Sequence, residues 1–394
     1  VLPFVMEVEK SLPDTRGTTT MAKLDAPFRY DIVGSFLRPA SLKEARAAHA
    51  AGKLSDAELA AAEDAAIKDL IAKEKSAGLK AVTDGEFRRR YWHLDFLSDL
   101  EGVQEVPAEQ WSVQFKGAQP RPATVRITDK IGFGNHPFLK HFDYLKSVAG
   151  ATPAKMTIPS PSMLHLICCV REKNYQPCKR YEGNEELLFH DLAAAYADAV
   201  QSFYNHGCRY LQLDDTSWGE LCDKEKRAAY EARGFDLDEL ERNYVSVINE
   251  ALANKPDDLV VTIHICRGNF RSTWFSSGGY EPVAKILFPN AKVDGFFLEY
   301  DSDRAGGFEP LSYIANQRVV LGLVTSKSGK LENPDDVKRR IEEASKFVPF
   351  EQLCLSSQCG FSSTEEGNIL TEEDQWAKIA LIKRIAEDVW GTNV

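Results

Sequence analysis

The chain has 394 residues, 43% apolar and 27% charged, with 59 acidic against 48 basic side chains and a formal net charge of -11. That balance excludes a nucleic-acid surface, which needs clustered Lys and Arg against phosphate, and no apolar run approaches the roughly 20 residues that cross a bilayer. Eight cysteines at irregular spacing make no disulfide framework; in a reducing compartment they are free thiols or metal ligands.

The opening VLPFVMEVEKSLPDTRG carries acids where a secretory signal needs a cationic leader and a longer apolar core. Residues 1–27 are read as an N-terminal extension or leader, residues 28–394 as a single domain, and the expected location is cytoplasmic. From there short apolar, β-branched runs recur: RYDIVGSF at 29–36, LKAVTDGE at 79–86, AKMTIPSP at 154–161, RYLQLDD at 209–215, LVVTIHIC at 259–266, KVDGFFLEY at 292–300, RVVLGLVTSK at 318–327 and QLCLSSQC at 352–359. Helical stretches separate them. The first begins at Ser55, with Glu58 three residues on and Gly78 as its stop, and others begin at Asn333 and Thr371. Strands alternating with helices pair in parallel, and eight such units predict an α/β fold, a (β/α)8 TIM barrel. Residues 101–150 interrupt the alternation, and WSVQF with TVRITDKIGF reads as a hairpin inserted after the second strand. The basic stretch FRRR, Phe87 to Arg90, reads as a solvated turn or an anion contact.

In such barrels the chemistry collects at the C-terminal strand ends, and these runs end on polar residues: Ser35, Glu86, Ser160, Asp214 with Asp215, His264 with Cys266, Glu299, Lys327 and Cys359. Strand positions i and i+2 share a face, so His264 and Cys266 project together. A lone His-x-Cys pair fits either a core histidine beside a small buried thiol or half a metal site. Adding Glu299 and Cys359 from two further strands gives one nitrogen, one oxygen and two sulfur donors, a set suited to tetrahedral zinc. Cys168, Cys169, Cys178, Cys208, Cys222 and Cys354 have no partners at ligand spacing and read as packing residues.

From about Tyr30 to Trp390 the sequence resembles the catalytic barrel of cobalamin-independent methionine synthase, through VGSFLRP, TDGEFRR, LQLDD, HICRGN, FFLEYD, GLVTSK and LSSQCGF. It is similar to a short, single-barrel branch of that family. The resemblance implies zinc on His264, Cys266, Glu299 and Cys359. It implies a homocysteine site at Val33, Gly34, Ser35, Glu86 and Asp214, in which carboxylates pair with the substrate ammonium and backbone N–H groups hold its carboxylate. Glu220 falls where the family has a glutamate near the folate, although six residues past Asp214 it also fits an exposed helix position.

The implied activity is transfer of a methyl group to the thiol of homocysteine, giving methionine, with 5-methyltetrahydrofolate (5-methyltetrahydropteroyltriglutamate) as donor. A free thiol is only a few per cent thiolate at neutral pH, and zinc coordination removes its proton. A folate donor also needs a general acid for its leaving nitrogen. Lys327 occupies the position of the family's catalytic histidine, and an unperturbed lysine is a poor acid at pH 7; His165, or His93 with Tyr91, are the other candidates. Two alternatives stay open: another zinc-thiolate alkyltransferase using a corrinoid or epoxide electrophile, and a non-catalytic zinc-binding protein. The partners expected are small molecules, with no nucleic acid and no membrane, and no feature of the sequence sets an oligomeric state.

Overall fold

A computed structural model describes residues 22–108, 115 and 123–393; residues 1–21 of the expected extension lie outside them. Local signals set the helices. Ser55 Oγ accepts the Glu58 backbone N–H while the Glu58 carboxylate accepts the Ser55 N–H, opening Asp56–Ser76 with a reciprocal cap. Thr371 and Asp374 do the same for Glu372–Trp390, and Asn333 caps Pro334–Ala344.

Among the described residues there are eight strands. β1 (Glu101–Pro107) and β2 (Ala123–Gly132) pair antiparallel. β3 (Lys155–Pro159), β4 (Tyr210–Asp215), β5 (Val260–Ile265), β6 (Gly295–Glu299), β7 (Arg318–Val324) and β8 (Leu353–Ser357) form one parallel sheet in chain order, with helices between successive strands. Every residue of these six strands is buried except the first of β7. That is the pattern of parallel strands covered on both faces, and it explains their near-continuous apolar runs.

These six strands coincide with the last six expected runs. The first two runs are reduced to single parallel bridges: Tyr30 with Leu355 of β8, Ser35 with Gly85, and Val82 with Ala154 beside β3. Gly34 at φ +138°, Gly85 at +65° and Glu86 at +61° break the extended backbone there. In the interruption, residues 111–114 of the expected WSVQF arm lie outside the described residues, and the segment that pairs with β2 is Glu101–Pro107. β2 lies against the helix Glu185–Asn205 and the π-helical turn Leu166–Arg171, and Ile131 N–H donates to Tyr181 Oη at 3.0 Å.

The FRRR stretch is a turn held by ion pairs, and of its four residues Arg90 is the exposed one. Arg89 is buried against Glu86, Arg88 pairs with Glu63 and Asp64, and Arg90 pairs with Glu105. Inside the strands, Val33, Phe297, Val320 and Cys354 form a small cluster of their own. Beside it Lys155 Nζ lies 3.4 Å from Asp31 and 4.1 Å from the Phe297 ring centre. No helix among the described residues is long and apolar enough to cross a membrane.

Candidate metal and substrate site

His264 lies in β5, Cys266 just past its end, Glu299 at the end of β6, and Cys359 two residues beyond β8. Register brings the strand ends level: His264 pairs with Asp214 on one side and Phe297 on the other, and Glu299 pairs with Gly322. The four ligand atoms all lie within 4.8 Å of one another, and all four residues are buried. The two sulfurs are 3.5 Å apart, close to the separation of about 3.8 Å that two Zn–S bonds of roughly 2.3 Å set around a tetrahedral ion.

Whether these residues fit a metal is tested by their hydrogen bonding. Buried polar atoms are nearly always partnered, yet neither ring nitrogen of His264 has a hydrogen-bond partner. A metal ion could take that place beside Cys359, the nearest donor to the ring. Hydrogen bonding from Cys266 pulls the Cys359 thiol well below its ordinary range against the opposing effect of burial, while the same contact and burial push the Cys266 thiol up. Burial would raise the Glu299 carboxyl, but Arg304, Lys327 and Arg267 outweigh it and keep the group ionised. Close packing fixes the shell: a Cβ on Gly219 would strike the Cys266 carbonyl, and one on Gly360 would strike Ser35 Oγ.

A cavity of about 910 Å³ opens over this cluster, within the range of small-molecule sites, with Val33, Ser35, Glu86, Asp214, His264, Cys266 and Cys359 among its lining. Glu86 and Asp214 face it together. Glu86 Oε1 accepts Arg89 Nη1 at 3.2 Å and Thr157 Oγ1 at 3.1 Å, while its Oε2 is buried without a partner. Burial raises the Glu86 carboxyl, opposed by Arg89 and Arg38. Burial also raises Asp214, to about 7, with His264 opposing and Glu86 adding to the rise. Two buried carboxylates with spare acceptor capacity are a ready receptor for an ammonium group. Gly34 does not line the cavity; it lets the chain pass close to Thr157, whose Cγ2 would lie 2.8 Å from an added Cβ.

Of the remaining sequence candidates, His93 and Tyr91 reach the cavity and the others lie elsewhere. Glu220 is buried, not exposed, and sits behind the cavity wall: Arg171 Nε donates to it at 2.8 Å and Tyr230 Oη at 2.5 Å, and it is Arg171 and Tyr230 that line the cavity. His165 does not line the cavity; its ring nitrogens meet Tyr244 Oη and Glu185, each at 3.0 Å. Lys327 Nζ donates to Gly268 O, Asn269 Oδ1 and Thr273 O at 3.1, 3.0 and 3.2 Å, which occupies all three ammonium protons. His93 and Tyr91 do line the cavity, with His93 Nδ1 unpartnered; burial and Arg171 lower the imidazole to about 3, so it is neutral. Of the thiols read as packing residues, Cys168 reaches the cavity wall. Sequence reasoning missed Arg89 and Arg304, the cations that hold Glu86 and Glu299. FRRR was the signal for the first; a lone arginine five residues past Glu299 gave none for the second.

A family model described as cobalamin-independent synthase, catalytic domain, matches residues 29–380. The chain belongs to this family. Its similarity to the Bacillus subtilis (strain 168) protein YxjG is 50% identity over 366 residues, covering 92% of this chain and 95% of that protein. Against the methionine synthase of Saccharolobus solfataricus it is 25% identical over 345 residues, covering 84% of this chain and 86% of the relative. A Listeria monocytogenes crystal structure described as a vitamin-B12 independent methionine synthase superposes with a TM-score of 0.75 at 44% identity, covering 93% of this chain and 99% of the other. Membership in the cobalamin-independent synthase family supports a methyltransferase acting on small molecules.

Proposed function

We propose that this chain is a zinc-dependent methyltransferase that moves a methyl group to the thiol of homocysteine, giving methionine, within a single catalytic domain built as a closed (β/α)8 barrel with β1 and β2 inserted after its second strand. The bridges from β8 through residues 30, 35, 82 and 85 to β3 support closure. The observation that carries the functional reading is one cavity lined by His264, Cys266 and Cys359 of the donor set and by the Glu86 and Asp214 carboxylates, with Glu299 buried in the same donor cluster. The four donors would hold zinc, which would supply deprotonation of the acceptor thiol at neutral pH while leaving its sulfur able to attack. Glu86 and Asp214 take the substrate ammonium, Arg89 fixes Glu86, and the Ser35 backbone takes the carboxylate beside Val33. The thiol end of a short amino acid held this way points at the donor set.

The donor enters from the outer cavity. Its wall carries Arg126, Arg171, Lys173, Lys226 and Arg233 against Glu172 and Glu225, with aromatic faces from Tyr175, Phe270 and Phe275. In a chain of net charge -11 such a cationic, aromatic mouth suits a flat anionic donor, which supports 5-methyltetrahydrofolate or its polyglutamates. A second reading, an alkyltransferase whose electrophile departs without a proton, such as a methylcorrinoid, is favoured by the engagement of Lys327 with three acceptors. A donor screen with homocysteine fixed decides between them. Methionine formed from the folate supports the first reading. Methionine formed only from a methylcorrinoid supports the second, and none from any donor sinks both.

A further inference from the structure

Both carboxylate oxygens of Glu299 have a nitrogen donor within the protein, and one of these donors is a guanidinium. Its Oε1 accepts the Arg267 backbone N–H at 3.0 Å, and its Oε2 accepts Arg304 Nη2 at 3.1 Å. His264 has no partner at either nitrogen. Cys266 Sγ accepts one backbone N–H, from Gly268 at 3.3 Å, and Cys359 Sγ lies beside Cys266, His264 and Ser363 Oγ, the last at 3.8 Å. Arg304 is held in turn: Nη2 also lies 3.2 Å from Asp301 Oδ1, and the guanidinium carbon sits 4.6 Å from the Trp274 ring centre.

A buried carboxylate released from a metal is strongly unfavourable unless a cation and hydrogen bonds receive it. Here Arg304 and the Arg267 N–H form such a receiver. We infer that Arg304 is a positioning residue that competes with the metal for Glu299 and so makes that carboxylate the exchangeable ligand, through its contact with Oε2 and with the Arg267 N–H on Oε1. The inference rests on the functional reading above and adds the residue that governs ligand exchange. The exchange would balance: one thiolate would replace one carboxylate with the charge of the shell unchanged, the thiol proton would leave to solvent, and Glu299 would stay paired with Arg304.

The test uses the zinc-loaded full chain as wild type, Arg304→Met and Arg304→Lys, with circular dichroism confirming the fold. Two quantities are read: the rate of zinc transfer to a chromophoric chelator, and the zinc X-ray absorption spectrum with and without saturating homocysteine. Wild type should gain a sulfur neighbour and lose an oxygen one. Arg304→Met should retain the oxygen neighbour in homocysteine and release zinc about tenfold or more slowly, the factor that corresponds to one charge-assisted hydrogen bond, and Arg304→Lys should recover part of the wild-type behaviour. Asp301→Asn, which leaves the guanidinium to Glu299 alone, should release zinc faster and serves as the measurement if Arg304→Met does not fold. Wild-type rates and spectra in Arg304→Met, faster release from it, or unchanged or slower release from Asp301→Asn overturns the inference. Wild type that gains sulfur but keeps its oxygen neighbour sinks this inference alone, whereas wild type that gains no sulfur sinks the functional reading with it.

Discussion

Asp214 and His264 are register partners on β4 and β5, so a carboxylate of the candidate amino-acid pocket and an imidazole of the candidate metal cluster stand side by side on adjacent strands. Parallel strands in register end at one level, and side chains two apart on a strand share a face. The β5 end therefore carries His264 and Cys266 together, with Asp214 beside them. A substrate with an ammonium and a thiol separated by a short chain spans these two positions, which is the geometric core of the functional proposal.

The metal assignment predicts close to one zinc per purified chain. Cys266→Ser and Cys359→Ser should each remove it while the far-ultraviolet circular dichroism stays that of the folded protein, because both thiols lie past their strand ends and carry no ladder hydrogen bonds through their side chains. Metal analysis after exhaustive dialysis checks this, and full zinc retention by both variants would remove the assignment.

Glu86→Gln and Asp214→Asn should each weaken homocysteine binding by about 1.5 to 3 kcal/mol, the range for hydrogen bonds to charged groups, with zinc content unchanged. Calorimetric titration with homocysteine and with a thiol of similar length lacking the amino group separates the roles. Loss confined to homocysteine fits ammonium recognition. Equal loss with both thiols means that Glu86, at φ +61° and tied to Arg89 and Thr157, acts on the fold.

What the sequence disclosed follows from its physics. β3 to β8 were legible because strands buried on both faces are nearly unbroken apolar runs, and the donor set because those runs end abruptly on His, Cys and Glu. The segments at 29–36 and 79–86 look equally apolar, but Gly34, Gly85 and the left-handed Glu86 turn the backbone before a ladder can form. β1 was illegible because EGVQEVP carries a glycine, a proline and three polar residues, and finds its β character only in pairing with β2. The burial of Arg89 and Glu220 was hidden for a related reason: a charged side chain is buried only when a partner from another segment neutralises it, and periodicity contains no record of that partner.

His165 provides a test by pH. Burial opposes its charge, but Cys169 and Glu185 outweigh burial and hold the imidazole at about 9, well above the ordinary value near 6.5. A raised folded-state value means the protonated form is the stabilising one, so its contribution is full below about pH 6.5 and is lost as pH rises through about 9. Chemical unfolding across that window should show wild type losing stability while His165→Gln, less stable at the acidic end, loses less. A variant as stable as wild type at every pH, yet slower in methyl transfer by the 10² to 10⁴ typical of a lost general acid, would return His165 to the chemistry.

Lys327 gives the sharpest contrast between an inferred role and an observed geometry. A general acid must present a proton to the leaving nitrogen, whereas each proton of this ammonium is directed at an oxygen of residues 268–273, the loop that follows Cys266. That arrangement makes Lys327 the anchor of the loop, and its charge also helps to keep Glu299 ionised. Lys327→Met should then leave two carbonyls and the Asn269 amide oxygen without their cation, lower thermal stability, and slow methyl transfer to the same extent from a folate donor and from a donor whose leaving group needs no proton. Steady-state rates with both donors supply the check. A loss of 10² or more confined to the folate donor would mean that the lysine swings out of the loop to deliver a proton, and the anchoring role would fall.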